Sequence, residues 1–497
     1  MYFQDKKVKD LLSKTRVLWA LGHAMALMSW DAETYMPEKG IAERSVAMGE
    51  LSVLSQKLLL DESITKLVDD LVGKENLNEY EAGVVRVLER QIRIMKALPP
   101  DLVREIAEIT QRARPVWREA KEKNKYDLFK PYLDKIIELM RRAADYIGYD
   151  EHPYDALLDR FEEGLLTRDV DKMFSQLESG MKKILNKIIS DERFPMKHEL
   201  EKMKYDKDAM ENFNLLILEK LGYPKDRGRL DISAHPFTIH MGLDDVRITT
   251  RYEGFDFKRT LFSTIHEFGH ALYELQIDPN LRMTPIGTGV SLGLHESQSR
   301  FWENIIGRSR EFVEGIYDHI RRHLEFLNKF TVDDLYKYFN TVRPSFIRTE
   351  ADEVTYNFHI LLRFKIEKMM IAGEISAGDI PELWDDEMER LLGIRPESYS
   401  EGLLQDIHWS MGSMGYFPTY TIGTIVATQI KSHIVKDLKN FSSMVHELKF
   451  DDIREYLKEK IHKWGSTFAP KELLKRSFGE EMDAKHFLKY LEYKYLT

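Results

Sequence analysis

Long runs of apolar residues at helical spacing fill the first half of this chain, and they leave little room for any fold but a helical one. From residue 3 to about 225 the pattern is nearly all amphipathic, with breaks at Pro37, Pro99-Pro100, Pro153 and Pro224. Glu79 to Leu98 shows the type: Val84, Val85, Val87, Leu88, Ile92 and Met95 recur at helix periods, with Arg and Glu on the opposite side. The period changes between Leu230 and Arg251. Pro236-Phe-Thr-Ile-His-Met and Val246-Arg-Ile-Thr-Thr-Arg flank a turn signal at 242–245, so a β-hairpin is expected there. After residue 259 helical spacing returns and runs to the carboxyl terminus, broken by glycine-bearing loops at 285–293 and 410–423. No internal repeat or low-complexity linker is visible. The expectation is a mainly α chain with one short antiparallel sheet.

Composition narrows the classes of function. At 497 residues with 43% hydrophobic and 31% charged, the chain can bury an ample core. Lys plus Arg total 73 against 83 Asp plus Glu, and a net charge of -10 offers no basic footprint for nucleic acid. The absence of cysteine removes disulfides, thiolate metal sites and thiol catalysis together, so a metal would have to be held by His, Asp or Glu. No apolar run reaches the length of a membrane span. Val17 to Met28, preceded by Lys6, Lys7 and Arg16, faintly resembles a signal peptide. Gly22 and His23 interrupt it and no clear processing site follows, so we read it as a buried helix and the protein as cytoplasmic.

The chemistry is concentrated in His266-Glu267-Phe268-Gly269-His270. The flanking segment from Arg259 to Ile277 lacks proline and places Leu261, Ile265, Phe268 and Leu272 at helical spacing. Positions i and i+4 share a helix face, so the two imidazoles can grip one ion, while Glu267 stands beside it and can take a proton from metal-bound water. A core helix with two satisfied histidines is the competing explanation. Gly269 costs about 1 kcal/mol against alanine inside a helix, which implies close packing there. A catalytic zinc site takes three protein ligands and one open position. Glu296 is the best third candidate, 26 residues beyond His270, where a returning antiparallel helix can carry it over the metal; a surface glutamate is the alternative. Glu274 and Glu303 can orient the ligand imidazoles or form ordinary salt bridges. His319 and His323 repeat the spacing, but Ile320 replaces the glutamate and Arg321 and Arg322 repel a cation, so they are read as surface residues.

Six motifs occur in order: His235-Pro-Phe237, Asp245-Val-Arg-Ile-Thr249, His266 to His270, His295-Glu-Ser-Gln298, Ile347-Arg-Thr-Glu-Ala-Asp352 and Gly402-Leu-Leu-Gln-Asp-Ile-His-Trp409. Together they resemble the carboxypeptidase Taq family of thermostable metallocarboxypeptidases of the helical gluzincin type, with Trp30-Asp31 and Tyr35-Met-Pro37 similar near the start. The resemblance implies a helical subunit with a deep central groove, a small sheet at the metal and a homodimer. It implies removal of single residues from peptide carboxyl termini, with broad side-chain tolerance and a dislike of proline. It assigns His266, His270 and Glu296 as metal ligands and Glu267 as general base. One zinc ion per subunit is expected, with cobalt also compatible. The chain is then a single catalytic unit, 1–497, of two helical lobes: 1–225 mainly scaffold, and 226–497 the metal- and substrate-binding portion.

Two further roles need residues. The tetrahedral oxyanion needs a second donor, for which His408 and Tyr420 are candidates, although both types are common in cores. An enzyme that reads a free carboxyl terminus needs a cation for the carboxylate, and arginine has the matching fork. Arg348 leads, against a purely structural ion-pair network; Arg247 is second, with His235 nearby and Gln405 grouped with the substrate-binding residues. An oligoendopeptidase, a dipeptidyl carboxypeptidase and a non-catalytic metal-containing peptide binder are the alternatives.

Overall fold

The structure is a computed structural model that describes residues 2–497. It is helical almost throughout, with one three-stranded sheet, and groups into two compact units that each draw on distant parts of the sequence. The first comprises 1–93, 199–339 and 427–481; the second comprises 94–198, 340–426 and 482–497. This grouping crosses residue 225, because helices far apart in sequence complete each other's apolar faces. No helix of the described residues is long and apolar enough to cross a membrane.

In the first unit the buried Glu81 accepts backbone N–H groups from Gln4 (2.5 Å) and Asp5 (2.7 Å), which fixes the start of the helix Lys6–Thr34 against the helix Glu79–Ala97. Val8, Leu11, Val84 and Leu88 then share one core cluster with Ile277, Leu281 and Ile286, the segment that follows the motif helix. The apolar run 17–28 is helical but not buried as expected: Val17 and Leu27 are 44% and 40% exposed, and no side chain in the run is fully covered. The helix buries its beginning and its end, at Val8, Leu11 and Trp30, rather than its middle.

The hairpin forms where its β-branched pattern places it. Strands β1 (Leu230–Ile232), β2 (Thr238–Gly242) and β3 (Asp245–Thr250) are ordered β1-β3-β2. β2 pairs antiparallel to β3, but β1 pairs parallel to it, so the sheet is mixed rather than wholly antiparallel. The chain reverses once into β2 and again into β3, which leaves the outer strand and the central strand pointing the same way. β2 and β3 pack on the helix Lys258–Leu275.

In the second unit the helices Pro100–Glu122 and Tyr126–Ile147 pair along their length, with Pro115 and Pro131 inside them rather than at breaks. The loop from 340 to 355 is pinned by the last helix, Lys485–Leu496: buried Glu353 accepts from Tyr490 Oη (3.0 Å) and Tyr495 Oη (2.5 Å) and pairs with Lys494. The loop expected over 410–423 ends earlier, since the helix Pro418–Asp437 begins at its proline.

Candidate metal centre

The motif helix, Lys258–Leu275, is buried on most of its circumference, and its partner is the returning helix Leu292–Arg300. Gly269 marks where they touch: a Cβ there would stand 2.5 Å from the Gln298 carbonyl oxygen and 2.6 Å from Ser299 Cα. That approach brings Glu296 over the two histidines. His266 Nε2 and His270 Nε2 lie 3.6 and 3.4 Å from Glu296 Oε2, and one donor atom from each of the three falls within 4.8 Å of the others. Tetrahedral ligation with bonds of about 2.1 Å separates donor atoms by about 3.4 Å, so the set fits a small divalent cation.

Neighbouring groups aim these three residues. Arg300 Nε holds Glu296 Oε1 at 2.7 Å, which leaves Oε2 facing the imidazoles. The return helix continues into a π-helical stretch, Phe301–Gly307, whose Glu303 Oε2 lies 2.9 Å from His266 Nδ1. His270 is backed differently. Its Nδ1 meets His295 Nδ1 at 2.8 Å, and His295 Nε2 meets Glu274 Oε1 at 2.8 Å. Burial strips His270 of water and lowers its pKa to about 4, so the ring is neutral at pH 7 and keeps a lone pair for a cation. Burial opposes charge on Glu296 and Glu303 too, but Arg300 and the histidines outweigh it and hold both carboxyls well below the usual range.

Glu267 is buried beside this set. Thr238 Oγ1 on β2 donates to its Oε2 at 2.7 Å, which leaves Oε1 outside that bond. Burial raises the Glu267 pKa, with help from the nearby carboxylates of Glu296 and Glu303, and outweighs the opposing pull of His266 and of the Thr238 hydrogen bond. Two other expected residues also lie in the first unit. His235 is exposed, and its carbonyl accepts Ser233 Oγ at 2.7 Å. Arg247 has its fork filled by Asp245, at 2.7 and 2.8 Å, and its guanidinium carbon stands 4.3 Å from the centre of the Trp30 ring.

The other expected residues gather in the second unit. Asp406 joins two arginines, accepting Arg348 Nη2 at 2.8 Å on Oδ1 and Arg363 Nε at 2.7 Å on Oδ2. Arg348 Nη1 also donates to Tyr356 Oη at 2.8 Å, and its guanidinium carbon lies 5.0 Å from the Tyr420 ring centre. Gln405 spends its amide on backbone, accepting Arg348 N at 2.8 Å and donating to Phe346 O at 3.0 Å, so it shapes the Arg348 loop. His408 Nε2 and Tyr420 Oη lie 3.3 Å apart. Burial lowers the His408 pKa to about 4, and its buried Nδ1 has no partner among the described residues.

Sequence reasoning did not reach Thr238, His295, Asp406 or Arg363. His295 and Asp406 lay inside motifs already singled out, one residue from Glu296 and from Gln405. Thr238 and Arg363 carried no local signal, because their partners are set by packing between distant segments.

The model of the carboxypeptidase Taq (M32) metallopeptidase family matches residues 10–495. Thermostable carboxypeptidase 1 of Pyrococcus furiosus is 59% identical over 495 residues, 99% of each chain. Carboxypeptidase 1 of Bacillus subtilis is 37% identical over 493 residues, covering 99% of this chain and 98% of its own. Among solved structures, a Pyrococcus furiosus carboxypeptidase superposes with a TM-score of 0.99 over 100% of both chains at 59% identity. Trypanosoma cruzi metallocarboxypeptidase 1 superposes with a TM-score of 0.94 at 32% identity, covering 99% of this chain and all of its own. With a motif helix, a returning glutamate and a match that spans nearly its whole length, the chain belongs to the carboxypeptidase Taq (M32) metallopeptidase family.

Proposed function

We propose that this metallocarboxypeptidase removes amino acids one at a time from peptide carboxyl termini, with His266, His270 and Glu296 holding the metal and Glu267 acting as general base. The convergence of the three donor atoms, with Glu267 as the residue next to His266, carries the reading. A His₂Glu set at this spacing suits zinc, and cobalt by similar size and ligand taste. The bound ion supplies a Lewis acid for the scissile carbonyl and lowers the pKa of water. Glu267 Oε1 takes the proton of the attacking water and passes it to the leaving amine, while Thr238 holds Oε2. Neutral His408 and Tyr420 are the proposed donors to the oxyanion.

Arg348 is the proposed anchor of the substrate carboxylate. Two guanidinium groups share the single carboxylate of Asp406, so this buried cluster carries an excess positive charge that an anion would balance. His235, Arg247 and Gln405 act by shaping the surrounding segments. β2 is an edge strand, which suits pairing with extended peptide. The homodimer and cytoplasmic location that the resemblance and composition suggested belong to the same proposal, with sizing of the native protein as the check on assembly.

The test is mass-spectrometric sequencing of products from one peptide in free-acid and amidated forms. A ladder shortened by single residues, from the free acid only, is expected. Loss of dipeptides, or equal cutting of the amide, would overturn the single-residue reading. Glu267→Gln should keep its metal and lose turnover.

A further inference from the structure

In the second unit both ends of the segment that carries His408 are tied to one buried carboxylate. Glu367 lies on the helix Tyr356–Ala372 and is wholly buried. Its Oε1 accepts Trp409 Nε1 at 2.8 Å, and its Oε2 accepts the Gly415 N–H at 2.9 Å. Trp409 directly follows His408. Gly415 directly precedes Tyr416, whose ring centre stands 5.2 Å from that of His408. A third donor comes from outside the segment: Tyr154 Oη, on the helix Pro153–Leu158, reaches Oε2 at 2.5 Å. An ionised carboxylate only accepts, and bonds to it are about twice as strong as those between neutral groups. The three donors offset part of the cost of burying it.

The same helix holds His408 from its other side. Arg363, one turn before Glu367, binds Asp406 through Nε at 2.7 Å. Residues i and i+4 share a helix face, so one face of this helix grips both the residue two before His408 and the residue after it. Between Trp409 and Gly415 the chain closes on itself. His408–Met411 forms one tight helical turn, Gly412 takes φ +66°, and Ser413 N donates to His408 O at 3.0 Å. Gly415, at φ +94°, has no room to shift toward the helix Pro153–Leu158, since a Cβ there would stand 2.6 Å from the Leu157 carbonyl oxygen. The segment so held leaves His408 Nε2 3.3 Å from Tyr420 Oη.

We propose that Glu367 is a positioning residue for peptide hydrolysis: through Trp409 and Gly415 it fixes where the His408 ring stands relative to Tyr420. The inference rests on the reading of His408 and Tyr420 as donors to the oxyanion. Such donors act only if they are in place before charge develops, and a misplacement of about 1 Å costs about 100-fold in rate. Stability alone does not account for the carboxylate, because apolar groups of the same shape can replace a buried donor and acceptor together at little cost. Glutamate supplies two acceptor oxygens, one for each end of the segment. Glutamine keeps the shape but turns one acceptor into a donor, which must then face the N–H of Trp409 or of Gly415.

The test measures kcat and KM on one free-acid peptide with the metal-loaded full chain, for Glu367→Gln, Trp409→Phe and Tyr154→Phe, alone and combined with His408→Ala. Glu367→Gln and Trp409→Phe should each lower kcat about tenfold with KM held within about twofold, the pattern of an interaction made only in the transition state. Tyr154→Phe leaves both ties to the segment intact, so it should lower the denaturation midpoint and keep kcat. In the His408→Ala background the first two should cause no further loss, because residues that act through one group are not additive. Trp409→Phe decides the matter if Glu367→Gln does not fold. Unchanged kcat in Trp409→Phe, or a full further loss on top of His408→Ala, would overturn the proposal. So would an equal fall of kcat in Tyr154→Phe, the mark of a merely structural network. Full activity in His408→Ala and Tyr420→Phe would overturn the underlying reading of the site and this proposal with it. Loss of activity in those two, with Glu367→Gln and Trp409→Phe fully active, would overturn this proposal alone.

Discussion

His270 and His295 meet nitrogen to nitrogen, their Nδ1 atoms 2.8 Å apart, and this contact sets which face of His270 is open to a cation. Glu274 accepts from His295 Nε2. Burial opposes charge on Glu274, but His240 and His295 overcome it and hold its pKa at about 2, so it is an anion and can only accept. With its proton on Nε2 and the ring neutral, His295 accepts at Nδ1, and His270 then donates from Nδ1. The lone pair of His270 is left on Nε2, toward Glu296.

Replacing His295 by Phe removes that acceptor while keeping a ring in place. Metal affinity, measured by competition with a chromophoric chelator, should fall by about 10- to 100-fold. Unchanged affinity would mean that His270 needs no such orientation.

Thr238→Val deletes the bond to Glu267 Oε2 and keeps the β-branched shape. We expect kcat to fall about tenfold, the loss of one hydrogen bond to a charged group, with KM little moved. A change confined to KM would place Thr238 in substrate binding instead.

Gly269→Ala drives a methyl into the backbone of Gln298 and Ser299, which no side-chain rotation relieves. Overpacking of this kind costs about 1–3 kcal/mol or more, visible as a lower midpoint in denaturant. Because the displaced helix carries Glu296, metal affinity should weaken in the same variant.

Glu367 supplies a pH test away from the metal. Burial raises its pKa to about 7, although Tyr154, Trp409 and the Gly415 N–H all donate to it. The folded form then binds a proton more tightly than the unfolded form, whose carboxyl has its ordinary value near 4.5. The stabilisation is complete below about pH 4.5 and is lost as pH rises through about 7, an effect of about 3 kcal/mol at 1.36 kcal/mol per unit. Unfolding midpoints between pH 5 and 8 should fall with that slope, and Glu367→Gln should flatten it.

Asp406→Asn leaves Arg348 and Arg363 buried without an anion. Breaking a buried charge network in this way costs about 3–5 kcal/mol, so the variant should unfold at distinctly lower denaturant. An unaltered midpoint would show that water reaches the cluster and screens it.

Elements governed by short spacing were legible before any coordinates. The helix around His266 and His270, the hairpin at 238–250 and the tight contact at Gly269 each follow from residues within one turn or one strand of each other. The parallel strand at Leu230–Ile232 was not legible, because three residues carry no period and their partner β3 lies beyond an intervening strand. The apolar run 17–28 misled for a related reason: apolarity favours burial, but what covers a helix is decided by other segments.

The amino-acid sequence by itself determined the helical class, the donor chemistry and the spacing of His266, Glu267 and His270, since a helix turns local order into a common face. Only the tertiary structure decided what those residues and the arginines are tied to. It put His295 and Glu274 behind His270, Thr238 on Glu267, and Asp406 in the fork of Arg348. Such pairings are set by burial and by the register of segments tens to hundreds of residues apart, where desolvation makes each charge depend on whichever partner packing delivers.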